Sequence, residues 1–120
     1  RPIYKMKYLI TESQRYRMID DYLTKSIKSL DETVSNHGGS GRVDFVDKSE
    51  NSIVIIFFNR TSQESEVMID EKLYEEIYNM FSMDGFDEIQ EHLVRWFKEN
   101  FDGLNHITEV VTFDNDEYVY

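Results

Sequence analysis

The sequence predicts one α+β domain, residues 1–120, with helices packed on a mainly antiparallel sheet of four strands in the order α-β-β-β-α-α-β. Three observations carry this expectation. A capping-box sequence opens a stretch with apolar residues at steps of three and four. Three short β-like runs then follow one another across turns. Two amphipathic helices with acidic first turns precede a last alternating run.

Residues 3–10 mix apolar and basic side chains and read as a short strand or extended lead-in. Thr11 at an N-cap with Gln14 three residues on satisfies two orphan helix groups reciprocally. Behind it Ile19, Tyr22, Leu23, Ile27, Leu30 and Val34 keep helical spacing, which predicts a helix from Glu12 to Val34. Asn36 to Gly41 would end it, with Gly38 or Asn36 in the left-handed cap. Arg42 to Asp47 alternates, with Val43 and Phe45 on one face, and residues 48–52 are a turn. Ile53 to Phe58 is apolar on both faces, as a strand in the middle of a covered sheet must be. Residues 61–64 are a second turn and Ser65 to Ile69 a third strand, completing an antiparallel meander.

Asp70 is a good N-cap for a helix over Glu71 to Ser82, with Leu73, Tyr74, Ile77, Tyr78 and Phe81 as its buried stripe. Met83-Asp84-Gly85 breaks the chain. Another helix runs from Asp87 to Asn100 on a face of Ile89, Leu93, Trp96 and Phe97. Asp87 and Glu88 lie at its positive end and Lys98 near its negative end. Ile107 to Phe113 alternates as the last strand. The 17 aromatics supply core area, and a single Pro and five Gly argue against disorder.

Charge is the most unusual property. Thirteen basic and 24 acidic residues give −11, and the balance is uneven. Residues 1–42 carry eight Lys/Arg against five Asp/Glu, and residues 43–120 carry five against 19. Such a surface repels phosphate backbones and anionic membranes, so neither nucleic acid nor membrane is an expected direct partner. It suits a basic protein surface, and the basic first helix could instead lie against the acidic elements of its own chain or of another subunit. Cysteine is absent, which excludes disulfides and thiolate metal sites and fits a cytoplasmic setting. No apolar run approaches a membrane span and no signal-peptide pattern opens the sequence.

The candidate sites are few. Glu71, Glu75, Glu76, Asp84, Asp87, Glu88, Glu91 and Glu99 cluster on two consecutive helices and form a candidate partner-binding acidic face. His37-Gly38-Gly39-Ser40-Gly41-Arg42 is a glycine-rich loop that could hold an anion, although a phosphate loop needs a strand before it and a helix after. The three histidines, His37, His92 and His106, lack metal-ligand spacing, and His92 reads as a partly buried, hydrogen-bonded structural residue. Asp114, Asp116 and Glu117 read as a solvated turn without the calcium-loop pattern. Trp96 and Phe97 read as helix core. No nucleophile elbow occurs, and no catalytic residue, metal site or cofactor is expected.

Residues 7–14, Lys-Tyr-Leu-Ile-Thr-Glu-Ser-Gln, resemble the opening of small uncharacterised proteins of tailed phages from marine and environmental samples. The resemblance covers these residues alone. It implies Met6 as the native start with residues 1–5 upstream, and a life in a bacterial cytoplasm or a virion. It implies no activity, and no functional residue transfers from it. The expected function is therefore a non-enzymatic protein-binding or structural module, open to self-association. Two alternatives stand beside it: a nucleic-acid mimic that fills the basic cleft of a DNA- or RNA-binding protein, and a small ligand-binding domain or enzyme using residues 37–42.

Overall fold

The computed structural model describes residues 12–38, 40–59, 64–80 and 86–115. Its elements are α1 (Glu12–Ile27), β1 (Asp31–His37), β2 (Ser40–Val46), β3 (Ser52–Asn59), β4 (Glu64–Asp70), α2 (Glu71–Met80), α3 (Phe86–Asn100) and β5 (Val111–Phe113). The α+β class holds. The order is α-β-β-β-β-α-α-β, one strand richer than the sequence predicts. The lead-in at residues 3–10, the N-cap Thr11, residues 61–63 of the turn expected at 61–64, Phe81 and Ser82 of the second helix, the break at 83–85 and the tail at 116–120 lie outside the described residues, and Glu64 opens β4.

The extra strand comes from the predicted tail of the first helix. α1 stops at Ile27, and the Leu30 N–H donates to the Ile27 carbonyl at 3.1 Å in a tighter turn. Leu30 and Val34 continue the helical spacing, but Val34 is 60% exposed, so its place in that periodicity does not report a core. Thr33, Val34 and Ser35 favour the strand instead. Gly38, at φ 59°, is therefore not a helix cap. It begins the two-residue connection of a hairpin whose closing pair is His37 and Ser40.

The sheet order is β1-β2-β3-β4-β5. The first four strands are antiparallel neighbours and β5 runs parallel to β4. β3 is the central strand, in agreement with its two-sided apolar sequence, and Val54, Ile55 and Ile56 are all buried. The β2–β3 connection is held by Asp47, whose Oδ1 accepts from the Ser49 and Asn51 N–H groups at 2.9 and 3.0 Å. Glu50 there adopts φ 66°.

One sheet face carries Phe45, Val54, Ile56, Val67 and Ile69 into the core shared with the three helices. Ile19, Leu23 and Ile27 enter from α1, Leu73 and Ile77 from α2, and Ile89, Leu93, Trp96 and Phe97 from α3. Trp96 and Phe97 meet edge to face at 5.0 Å. The opposite face holds a smaller cluster of Ile55, Met68 and Phe113. α1 and α3 lie side by side and run in the same direction: Arg15 meets Glu88, Asp20 meets His92, and the Trp96 Nε1–H reaches Thr24 Oγ1 at 3.4 Å.

The last strand is shorter than Ile107–Phe113. Gln90 explains this. Its Nε2 donates to the Val110 carbonyl and its Oε1 accepts from the Val110 N–H, both at 2.9 Å and buried. A side-chain amide thus replaces the ladder at that residue, and Ile107 and Val110 are buried without belonging to a strand. Tyr78 departs from its predicted place in the buried stripe of α2: it is 39% exposed, while Leu73 and Ile77 carry that stripe.

Candidate functional site

The acidic residues of α2 and α3 divide into three groups. Glu88 is ion-paired with Arg15 of the first helix. Both side chains are about three-quarters buried, so an arginine of the first helix meets an acidic element of its own chain, although that helix is itself neutral, with Arg15, Arg17 and Lys25 against Glu12, Asp20 and Asp21. Glu76 accepts from the Tyr22 hydroxyl at 2.7 Å, and burial together with this carboxylate raises the Tyr22 pKa above its ordinary value. Glu99 lies 3.8 Å from Arg95.

The second group is Asp87 and Glu91. Both are exposed, but they line an open depression of about 600 Å³ that Arg95 and Lys98 also line. Charge there is mixed rather than acidic.

The third group is on α2. Glu71 and Glu75 are exposed, and Tyr78 follows Glu75 at helical spacing, so the three form one outward stripe. Beside it a shallow depression of about 620 Å³ is lined by Lys72, Glu75, Glu76, Asn79 and Met80. Met80 is 56% exposed and lies one turn after Glu76. Met18 is 49% exposed and lies one turn before Tyr22, the residue that bonds Glu76. Exposed apolar side chains therefore flank the carboxylates. Sequence reasoning passed over Met18 and Met80 and placed Tyr78 in the buried stripe. Met18 falls off the apolar stripe of its helix, whereas Met80 keeps the spacing of Leu73 and Ile77 and is exposed because it ends the helix. Asp84 lies outside the described residues.

The glycine-rich segment is not a loop between helix and strand. It is the tip of the β1–β2 hairpin, with His37 closing β1 and Ser40, Gly41 and Arg42 opening β2; Gly39 lies outside the described residues. A Cβ at Gly41 would stand 3.1 Å from Asn36 Oδ1, so a larger residue there would need the exposed Asn36 side chain to shift. Arg42 forms a two-pronged pair with Asp44, Nε to Oδ1 at 2.6 Å and a terminal nitrogen to Oδ2 at 2.8 Å. Its guanidinium stacks on Phe57 at 5.3 Å. Burial raises the Asp44 pKa, but the hydrogen bonds from Arg42 and Ser52 outweigh it and hold the carboxyl below its ordinary range. The cation expected to serve an anion is thus built into the sheet.

His92 is more buried than the sequence suggests, at 3% exposure. Its neutral ring donates from Nε2 to Asp20 at 2.8 Å and lies 5.0 Å from the Tyr16 ring, over which Arg95 stacks. Burial lowers its pKa, only partly offset by Asp20. His106 Nε2 accepts from the Ser65 N–H at 2.7 Å. Among the described residues no group of three or more His, Asp or Glu could hold a metal ion, and no helix is long and apolar enough to cross a membrane. Asp116 and Glu117 lie outside the described residues.

Comparison with known proteins finds no matching family model, no matching curated protein and no matching solved structure.

Proposed function

We propose that this chain is a protein-binding module that presents the outer surface of α2, with the adjoining part of α1, to a partner segment that is both basic and apolar. The observation that carries the reading is the depression lined by Lys72, Glu75, Glu76, Asn79 and exposed Met80, with exposed Met18 one turn from the Tyr22 that bonds Glu76. Exposed methionines beside carboxylates favour a ligand with matching apolar and cationic groups. Methionine suits such a surface because its unbranched, polarisable side chain adapts to the partner. The carboxylates supply steering and orientation, and the apolar side chains supply buried area.

The test is a pull-down from bacterial lysate with wild type and with Glu75→Lys and Met80→Glu, after circular dichroism has shown all three to be folded. A protein retained by wild type and lost by both variants supports the reading. A protein retained equally by all three assigns binding to another surface. Release by added DNA, with a nucleic-acid enzyme as the captured protein, replaces the reading with a nucleic-acid mimic.

A further inference from the structure

We propose that β1 is a self-pairing edge, through which two copies of the chain join antiparallel about a two-fold axis at Val34. The proposal concerns the sheet edge and does not rest on the α2 surface. The two edges of the sheet are unlike. β5 has three residues, too short to template another strand. β1 has seven residues, paired on its inner side with β2 in unbroken register, and among the described residues it is the last strand on its side. It has no Lys, no Pro and no bulge, and its acidic side chains, Asp31 and Glu32, sit together at one end.

The parity of the hairpin says which backbone groups face outward. A two-residue connection is closed by a reciprocal hydrogen-bonded pair at its flanking residues, here His37 and Ser40. Alternate residues from His37 therefore bond inward to β2, and the N–H and C=O of Glu32, Val34 and Asn36 point to the free edge. Read antiparallel against itself, the strand Asp31-Glu32-Thr33-Val34-Ser35-Asn36-His37 places Val34 on Val34, Thr33 opposite Ser35, Glu32 opposite Asn36 and Asp31 opposite His37. Every residue then has a partner, and the outward groups form about six inter-chain hydrogen bonds.

Charge selects this arrangement. Asp31 and Glu32 share one end of the strand, so a parallel pairing, or an antiparallel one centred on Glu32, would set carboxylates side by side. Centring on Val34 holds the acidic ends apart and faces each with a neutral or basic residue. It also covers Val34, whose side chain is 60% exposed and lies on the helix-bearing side of the sheet, across from Val43. With −11 on each chain, the remaining repulsion is long-range and weakens as salt is added.

Sedimentation velocity of the full chain, up to about 1 mM and at rising salt, tests the proposal. Wild type should show a monomer–dimer equilibrium that shifts toward dimer with salt. Val34→Lys should weaken dimerisation at least about tenfold with an unchanged circular dichroism spectrum, because an edge lysine opposes pairing. Val34→Ile should retain it, and Met80→Glu should leave it unchanged. In hydrogen exchange, the amides of Glu32, Val34 and Asn36 should gain protection with concentration, while those of Thr33 and Ser35 are protected throughout. A wild type that stays monomeric over this range, or a dimer that survives Val34→Lys, overturns the proposal.

Discussion

Replacing Gln90 tests how the chain between α3 and β5 is held. Gln90 is 8% exposed and makes both a donor and an acceptor bond to Val110, each 2.9 Å long. Gln90→Leu keeps the bulk but leaves a buried N–H and a buried C=O unpaired, each costing about 1–3 kcal/mol. Leucine returns about 1 kcal/mol of apolar transfer. The net loss should be about 2–4 kcal/mol, read by urea denaturation as a fall in midpoint of roughly 1–2 M. Gln90→Glu gives a sharper readout. Its ionised carboxylate still accepts from the Val110 N–H but opposes the Val110 carbonyl, whereas the protonated acid can donate to it. The introduced carboxyl therefore has a raised folded-state pKa. Its stabilisation is present below the unfolded value and lost as pH rises through the folded one. A Gln90→Leu variant within about 0.5 kcal/mol of wild type, or a Gln90→Glu variant that gains nothing on acidification relative to wild type, would refute the reasoning.

The other expectations concern charge. Thermal unfolding between about pH 8 and pH 5 should show stability falling below the ordinary histidine value of 6.5 and through the lower folded value, since buried His92 stays neutral while the unfolded chain takes up its proton. His92 faces Asp20, Tyr16, Arg95 and Glu88, and His92→Phe should flatten that limb. Asp44→Asn should cost about 1 kcal/mol at neutral pH, measured by denaturation, and should remove the part of the stability lost as wild type is acidified below the ordinary aspartate value of 3.8 through the lowered folded one. Glu88→Lys should cost about 1 kcal/mol because it turns the Arg15 pair into a repulsion, whereas Glu75→Lys on the exposed face should stay within about 0.5 kcal/mol; equal losses from the two would contradict the division of the acidic residues.

The legible parts of the fold were those where periodicity and burial agree. Ile53 to Phe58 is apolar on both faces and is the central strand; Ile89, Leu93, Trp96 and Phe97 keep helical spacing and are core. The sequence misled where an apolar residue sits at the right spacing for the wrong reason. Val34 continues the rhythm of α1 yet lies in an exposed edge strand, and the Gly38-Gly39 turn between Thr/Val/Ser-rich and alternating segments was the better guide. The length of β5 was not legible, because it depends on Gln90 reaching from another element. The acidic candidates were legible only as a group. Which of them are engaged depends on where Arg15, Tyr22, Arg95 and Lys98 arrive, and those neighbours are set by helix packing rather than by local sequence.

The central claim is that the α2 surface is where a basic, apolar partner binds. The most direct measurement is the NMR of methionine methyl groups as a helical peptide of alternating Lys and Leu faces is added at low and then high salt. Met18 and Met80 are exposed and Met68 is 8% exposed, which makes Met68 an internal control. The account expects the Met80 and Met18 signals to shift with saturation, the shift to weaken with salt and to be lost in Glu75→Lys, and the Met68 signal to stay in place. Unmoved Met80 and Met18 signals, or shifts that Glu75→Lys leaves unchanged, would contradict it.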